Sequence, residues 1–243
     1  MSNKNSLIDA KTVATYIERL ARLKIWERET QHNLKTLSHQ VRHTKKSDLL
    51  WAIHIDHKSP LRFKNTEMNQ CLQPEIFCNI ETSENCDFFL KKYELVFRIW
   101  SVCKNMSFKE SRDSNKIFED LKSQDYKRVM FRCHIEKTMT ENEPIIHMQF
   151  GGIQRDDIIK ECFWCPDNLP VPRFLSPPLD LILAIQIILT NFFPEIYKKE
   201  IKNEKKWVEM VKKSELMFQH HYYKNCSNYL KDNSTSILDS YIV

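Results

Sequence analysis

The chain has 243 residues, a formal net charge of +5 at pH 7, eight cysteines and only two glycines, Gly151 and Gly152. Neither G-x-G-x-x-G nor G-x-x-x-x-G-K can be written in it, which excludes the phosphate-cradling loops of dinucleotide-binding and P-loop proteins. Cysteines without framework spacing, no signal-peptide pattern and no long apolar run point to a cytoplasmic, reducing setting and no membrane partner.

Residues 1–59 lack both Gly and Pro, and the first 46 predict a long helical segment. Ser6, with Asp9 three residues on, reads as a capping box in which Asp replaces the usual Glu. An apolar seam follows at Tyr16, Leu20, Leu23, Leu34, Leu37 and Val41, interrupted at Glu27 and Thr30. On nearly the opposite side lie Arg28, His32, Lys35, His39, Arg42 and Lys46, within an arc of about 80 degrees. Over residues 11–46 there are nine Lys or Arg against three Asp or Glu, so this stripe has few countercharges of its own. Such a stripe is usually the solvated face of a helix. A row of cations also suits a nucleic-acid backbone, DNA or RNA, and these six residues are the candidate contact.

From Ser47 the pattern changes to period two. Strands are predicted at Leu49–Asp56, Glu75–Glu81, Tyr93–Trp100, Arg128–Ile135 and Ile145–Phe150, with a helix from Asp87 as a rival to the third. A short helix is predicted over Asn115–Lys122. Asp56 and Lys58 make the Asp-x-Lys half of a PD-(D/E)xK nuclease motif, but its upstream metal-binding Asp is missing: Asp48 is too close on the same strand, and Asp9 precedes the long helix. Otherwise they are a polar strand terminus.

The last two strands read as a hairpin. A turn symmetric about Thr140–Glu141 opposes Arg132 to Gln149 and His134 to His147 on one face. Val129, Phe131, Cys133 and Ile135, with Ile146, Met148 and Phe150, take the other. Paired histidines can ligate a metal or serve as acid and base, and the same pattern also serves a hydrogen-bonded polar sheet face. Gly151-Gly152 ends the hairpin. Cys162 and Cys165 have the spacing of a metal or redox pair, open to help from His134 or His147. No second pair completes a zinc ribbon, and Pro166 to Pro170 continue as loop where a redox motif opens a helix; two packed loop cysteines are the alternative.

Ser176 reads as the N-cap of a further helix, with Pro177 at its first position and Asp180 in its first turn. From Leu179 to Leu189, nine of eleven residues are apolar, so the helix belongs in the core; a bilayer span needs about twenty such residues. Pro194 ends it. Residues 195–231 carry nine Lys and five Glu. There Trp207, Val211, Phe218 and Tyr222 share a helical face, with Met210 and Met217 beside it and a break near Ser214. This segment is expected to cover the core helix. The chain thus divides into a basic helical segment (1–46), a sheet with its core helix (47–194) and an amphipathic helical segment with its tail (195–243). The class is α+β: an antiparallel sheet of about five strands, with a long N-terminal helical segment and C-terminal helices packed on it.

The run His147-x-Gln-Phe-Gly-Gly152, then Pro172-Arg173 and Pro177-Pro-Leu-Asp180 before a helix ending Asn191-Phe-Phe-Pro194, resembles small accessory proteins. These are encoded beside ATPase or nuclease genes in bacterial mobile-element and anti-phage defence clusters. The likeness covers residues 128–195. It implies a non-catalytic subunit, without cofactor, that docks on a larger protein such as an ATPase or nuclease, and it carries over no catalytic residue. The alternative from the residues is a metal-dependent nuclease or RNase-type toxin using His134 and His147 with Asp56 and Lys58.

Overall fold

A computed structural model describes residues 8–44, 49–67, 72–85, 89–101, 128–137, 146–150, 173–220, 222–224 and 226–227. The N-terminal segment is two helices rather than one long one, α1 (Ala10–Leu20) and α2 (Arg28–Arg42). The intervening Ile25 and Trp26 are fully buried. The Trp26 indole N–H donates to the Leu20 carbonyl at 2.5 Å, and its ring lies 4.2 Å from that of Phe63. Burying an indole in the sheet's core outweighs the few helical hydrogen bonds lost at the turn. The helix starts one turn later than the Ser6 reading placed it: Asp9 is the N-cap, its side chain accepting from the Thr12 N–H at 2.8 Å. Tyr16, Leu20, Leu34, Leu37 and Val41 of the seam are buried, and Leu23 is partly so. Ser38 lets the helices approach, its hydroxyl donating to the Ala14 carbonyl at 2.9 Å.

Among the described residues seven strands form one antiparallel sheet: β1 (Trp51–Ile55), β2 (Leu61–Arg62), β3 (Leu72–Thr82), β4 (Leu90–Ser101), β5 (Arg128–Lys137), β6 (Ile146–Phe150) and β7 (Arg173–Leu175). Their order is β1-β3-β4-β5-β6-β7, with β2 also on β3. The class is α+β, as expected. The strand reading of Tyr93–Trp100 prevails over the helix, because Tyr93, Leu95 and Ile99 alternate into the core. Strands β2 and β7 are too short to give a period-two signal. The helix expected over Asn115–Lys122 lies outside the described residues.

One sheet face packs on the helices through Ile53, Ile55, Ile76, Cys78, Ile80, Leu95, Cys133, Ile135 and Ile146, all buried. At the centre of that core lies α3 (Leu181–Phe192). Its N-cap is Asp180, not Ser176, because a residue preceding proline is held extended and the Pro177-Pro178 pair delays the first turn. The Asp180 carboxylate accepts from the Leu183 N–H at 2.9 Å and from the Ser214 hydroxyl at 2.7 Å. Beside it, the Tyr93 hydroxyl donates to the Leu179 carbonyl at 3.0 Å and accepts from the Leu179 N–H at 2.9 Å. One side of the helix is not covered: Ile187 and Thr190 reach the surface.

Helix α4 (Lys205–Ser214) covers α3, as expected of the C-terminal segment. The Trp207 indole N–H donates to the Gln186 side-chain carbonyl at 2.6 Å, and the Gln186 amide donates to the Tyr197 hydroxyl at 2.9 Å. The one polar side chain inside the α3 stripe is therefore satisfied at both ends. The expected break near Ser214 is a π-helical turn, Glu215–Gln219. Met210, Ser214, Phe218 and Tyr222 are all buried at steps of four residues, more than the 3.6 of a regular helix, and the wide turn absorbs the drift. A second π-helical turn, Tyr197–Ile201, follows Pro194; the Glu67 carboxylate accepts from the N–H groups of Glu195 and Ile196 at 2.7 and 3.0 Å. No single helix among the described residues is long and apolar enough to cross a membrane.

Two outcomes follow from this core. Burial pushes the Asp180 carboxyl from an ordinary 3.8 up to about 6, against the hydrogen bonds from Leu183 and Ser214 that lower it. A raised folded-state pKa gives stability that is full below about 4 and lost as pH rises through about 6. Asp180→Asn keeps the cap and removes the titration. In urea melts, stability relative to this variant should fall between pH 4 and 6.5 by up to about 3 kcal/mol; parallel pH profiles would refute the account. Secondly, a 1–199 truncation uncovers α3 and should aggregate rather than melt cooperatively. A soluble, cooperative fragment would mean that α4 is dispensable as its cover.

Candidate functional site

The opposite sheet face is built from the alternate residues of the same strands, and it is polar yet largely buried. Glu75 is 1% exposed, Arg98 4%, Arg132 9% and His147 0%. Strand register sets three rows across it. The first runs Arg62, Glu75, Arg98, Arg132; the second Phe77, Val96, His134, Gln149; the third Asn79, Glu94, Glu136, His147.

In the first row the Arg98 guanidinium lies 2.5 Å from Glu75, with Arg62 at 3.5 Å from the other carboxylate oxygen. Arg98 also lies over the Phe77 and Trp100 rings, at 4.8 and 5.4 Å from their centroids. Burial, and then the neighbouring Arg98, pull the Arg132 guanidinium down to about 10, which leaves it charged at neutral pH.

The third row corrects the expected hairpin. His147 faces Glu136, and His134 faces Gln149, two residues away from the symmetric register. A two-residue shift keeps every side chain on its predicted face, so the histidines share a face without being a pair. Instead the Glu136 carboxylate lies between them, 3.2 Å from His147 Nε2 and 3.5 Å from His134 Nε2. Glu94 approaches His134 Nε2 at 3.4 Å. Opposing a carboxylate to an imidazole is electrostatically better than opposing two imidazoles, and this selects between registers that are otherwise equal in hydrophobic burial. The row is a carboxylate–imidazole network with its two glutamates toward solvent. Among the described residues no three His, Cys, Asp or Glu side chains are grouped to hold a metal ion. Cys162 and Cys165 lie outside the described residues.

Asp56 and Lys58 do not join His134 and His147. They sit in an exposed turn after β1, three strand spacings or about 14 Å from β5. The Lys58 N–H donates to Asp56 at 2.8 Å and holds its carboxyl below the ordinary range. This is a local turn cap.

On the other side of the molecule, Arg28, His32, Lys35, His39 and Arg42 are all exposed along α2; Lys46 lies outside the described residues. Arg42 is not without countercharge, because its Nη2 lies 2.7 Å from Glu18 of α1. That pairing crosses between two helices and is invisible on a wheel of one. The chain was compared with protein-family models, with curated proteins and with solved structures, and none matches.

The polar face yields a stability test. Glu75→Ala strands the buried Arg98 and should cost about 3–5 kcal/mol, whereas a Glu75→Leu/Arg98→Leu double variant should recover most of it. Guanidinium melts of the three proteins check this; a single variant within about 1 kcal/mol of the parent contradicts it.

Proposed function

We propose that this chain is a non-catalytic accessory subunit of a cytoplasmic complex, docking on a larger protein and tracking a nucleic-acid backbone, DNA or RNA, along α2. The observation that carries the reading is the exposed face of that helix: Arg28 and Lys35, with no ion pair among the described residues, point to solvent beside the exposed His32 and His39. Cations left unneutralised on one face bind phosphates by releasing their counterions, without reading sequence. Leu216 and Tyr223, 50% and 55% exposed on the C-terminal helix, support a protein partner. An ATPase or nuclease is the partner class that the resemblance over residues 128–195 suggests, and defence against phage is the setting it suggests.

Arg28→Glu with Lys35→Glu is the discriminating variant. It leaves the Arg42–Glu18 pair intact, and exposed helix positions tolerate such changes within about 0.5 kcal/mol. Retention on single- and double-stranded nucleic acid at low salt should fall at least about tenfold, and the slope of log affinity against log salt should flatten by about two. Equal retention by variant and parent would make the stripe a solvated face only.

A further inference from the structure

The last turn of α2 holds a pair of side chains with a second chemistry beside the phosphate contact proposed above. His39 lies in that turn and His43 is the C-cap residue. Both are exposed, and their ring centroids are 4.5 Å apart with the planes tilted by 48°. A four-residue spacing stacks two side chains on one helix face, and here the rings meet. The end of the helix adds the negative pole of the backbone dipole, which favours a cation. Arg42 lies between the two histidines in sequence and would otherwise repel one, but its guanidinium is drawn across to α1 by Glu18 at 2.7 Å.

We propose that His39 and His43 form a two-imidazole chelate for a borderline divalent metal ion of the zinc, nickel or copper class. Two metal–nitrogen bonds at a tetrahedral angle place the nitrogens about 3.3 Å apart, a separation that rings with centroids at 4.5 Å reach by small side-chain rotations. Imidazole selects these ions; magnesium and calcium demand oxygen ligands that the pair does not offer. Among the described residues no third His, Cys, Asp or Glu completes the shell. The ion would sit at the end of the cationic stripe and clamp the last turn of α2. His32, two turns earlier on the same exposed face, has no imidazole four residues away and serves as the internal control.

The test is titration calorimetry of the full chain with nickel and zinc chlorides near neutral pH in a non-coordinating buffer. A saturable one-to-one isotherm is expected, with no heat from magnesium. His39→Ala and His43→Ala should each weaken it at least about tenfold, since a lone imidazole lacks the second, intramolecular ligand. His32→Ala should leave it unchanged. Acidification to about pH 5 should release the ion, because only neutral imidazole is a ligand. Nickel should also raise the melting temperature of the parent but not of the His39→Ala/His43→Ala double variant. An unaltered isotherm in that double variant, or equal loss on His32→Ala, would overturn the site.

Discussion

The buried carboxylate of Asp180 is the constraint on which the core depends. It caps α3 through Leu183, receives the Ser214 hydroxyl at the end of α4, and lies beside the Tyr93–Leu179 bonds that fasten the helix entry to β4. An all-but-apolar helix can slide along a greasy sheet at little cost, because hydrophobic contacts are not directional. One buried charge with three fixed neighbours removes that freedom. Protonation relieves the desolvation cost at low pH, so the anchor trades stability at neutral pH for a single placement of α3.

The two faces of the sheet solve burial differently. The helix-covered face is dry and held by shape. The other face buries Glu75, Arg98, Arg132 and His147, and must hold them by pairing each with an opposite charge, a ring or a polar neighbour. Buried ions punish mispairing more than they reward pairing. The face therefore contributes register specificity, as the choice between opposing His147 to Glu136 and opposing it to His134 illustrates.

Much of this was legible in the residues. Period-two alternation located the five longer strands and sorted their side chains to the correct faces, because that information is local. The core position of α3 and the covering role of Trp207 were legible for the same reason: long apolar stripes have nowhere else to go. What escaped was set by tertiary contacts. A buried Trp26 split the N-terminal helix, Glu18 neutralised Arg42 from another helix, and cross-strand electrostatics moved the hairpin by two residues. Helix starts were misread at both Ser6 and Ser176, each time in favour of a later aspartate. A carboxylate accepts N–H hydrogen bonds more strongly than a hydroxyl, and at Asp180 the preceding prolines forbade an earlier start.

The wide turn at Glu215–Gln219 carries a consequence for sequence change in this region. A π-helical turn holds one residue more than a regular turn, so this stretch carries one residue of slack. Deleting one residue inside it would leave a regular helix in which Met210, Ser214, Phe218 and Tyr222 are spaced four, three and four residues apart and still share one face. Substitutions on the exposed side of this helix and a single deletion inside the turn should therefore be tolerated, while an inserted residue would carry Tyr222 about 100 degrees off its face.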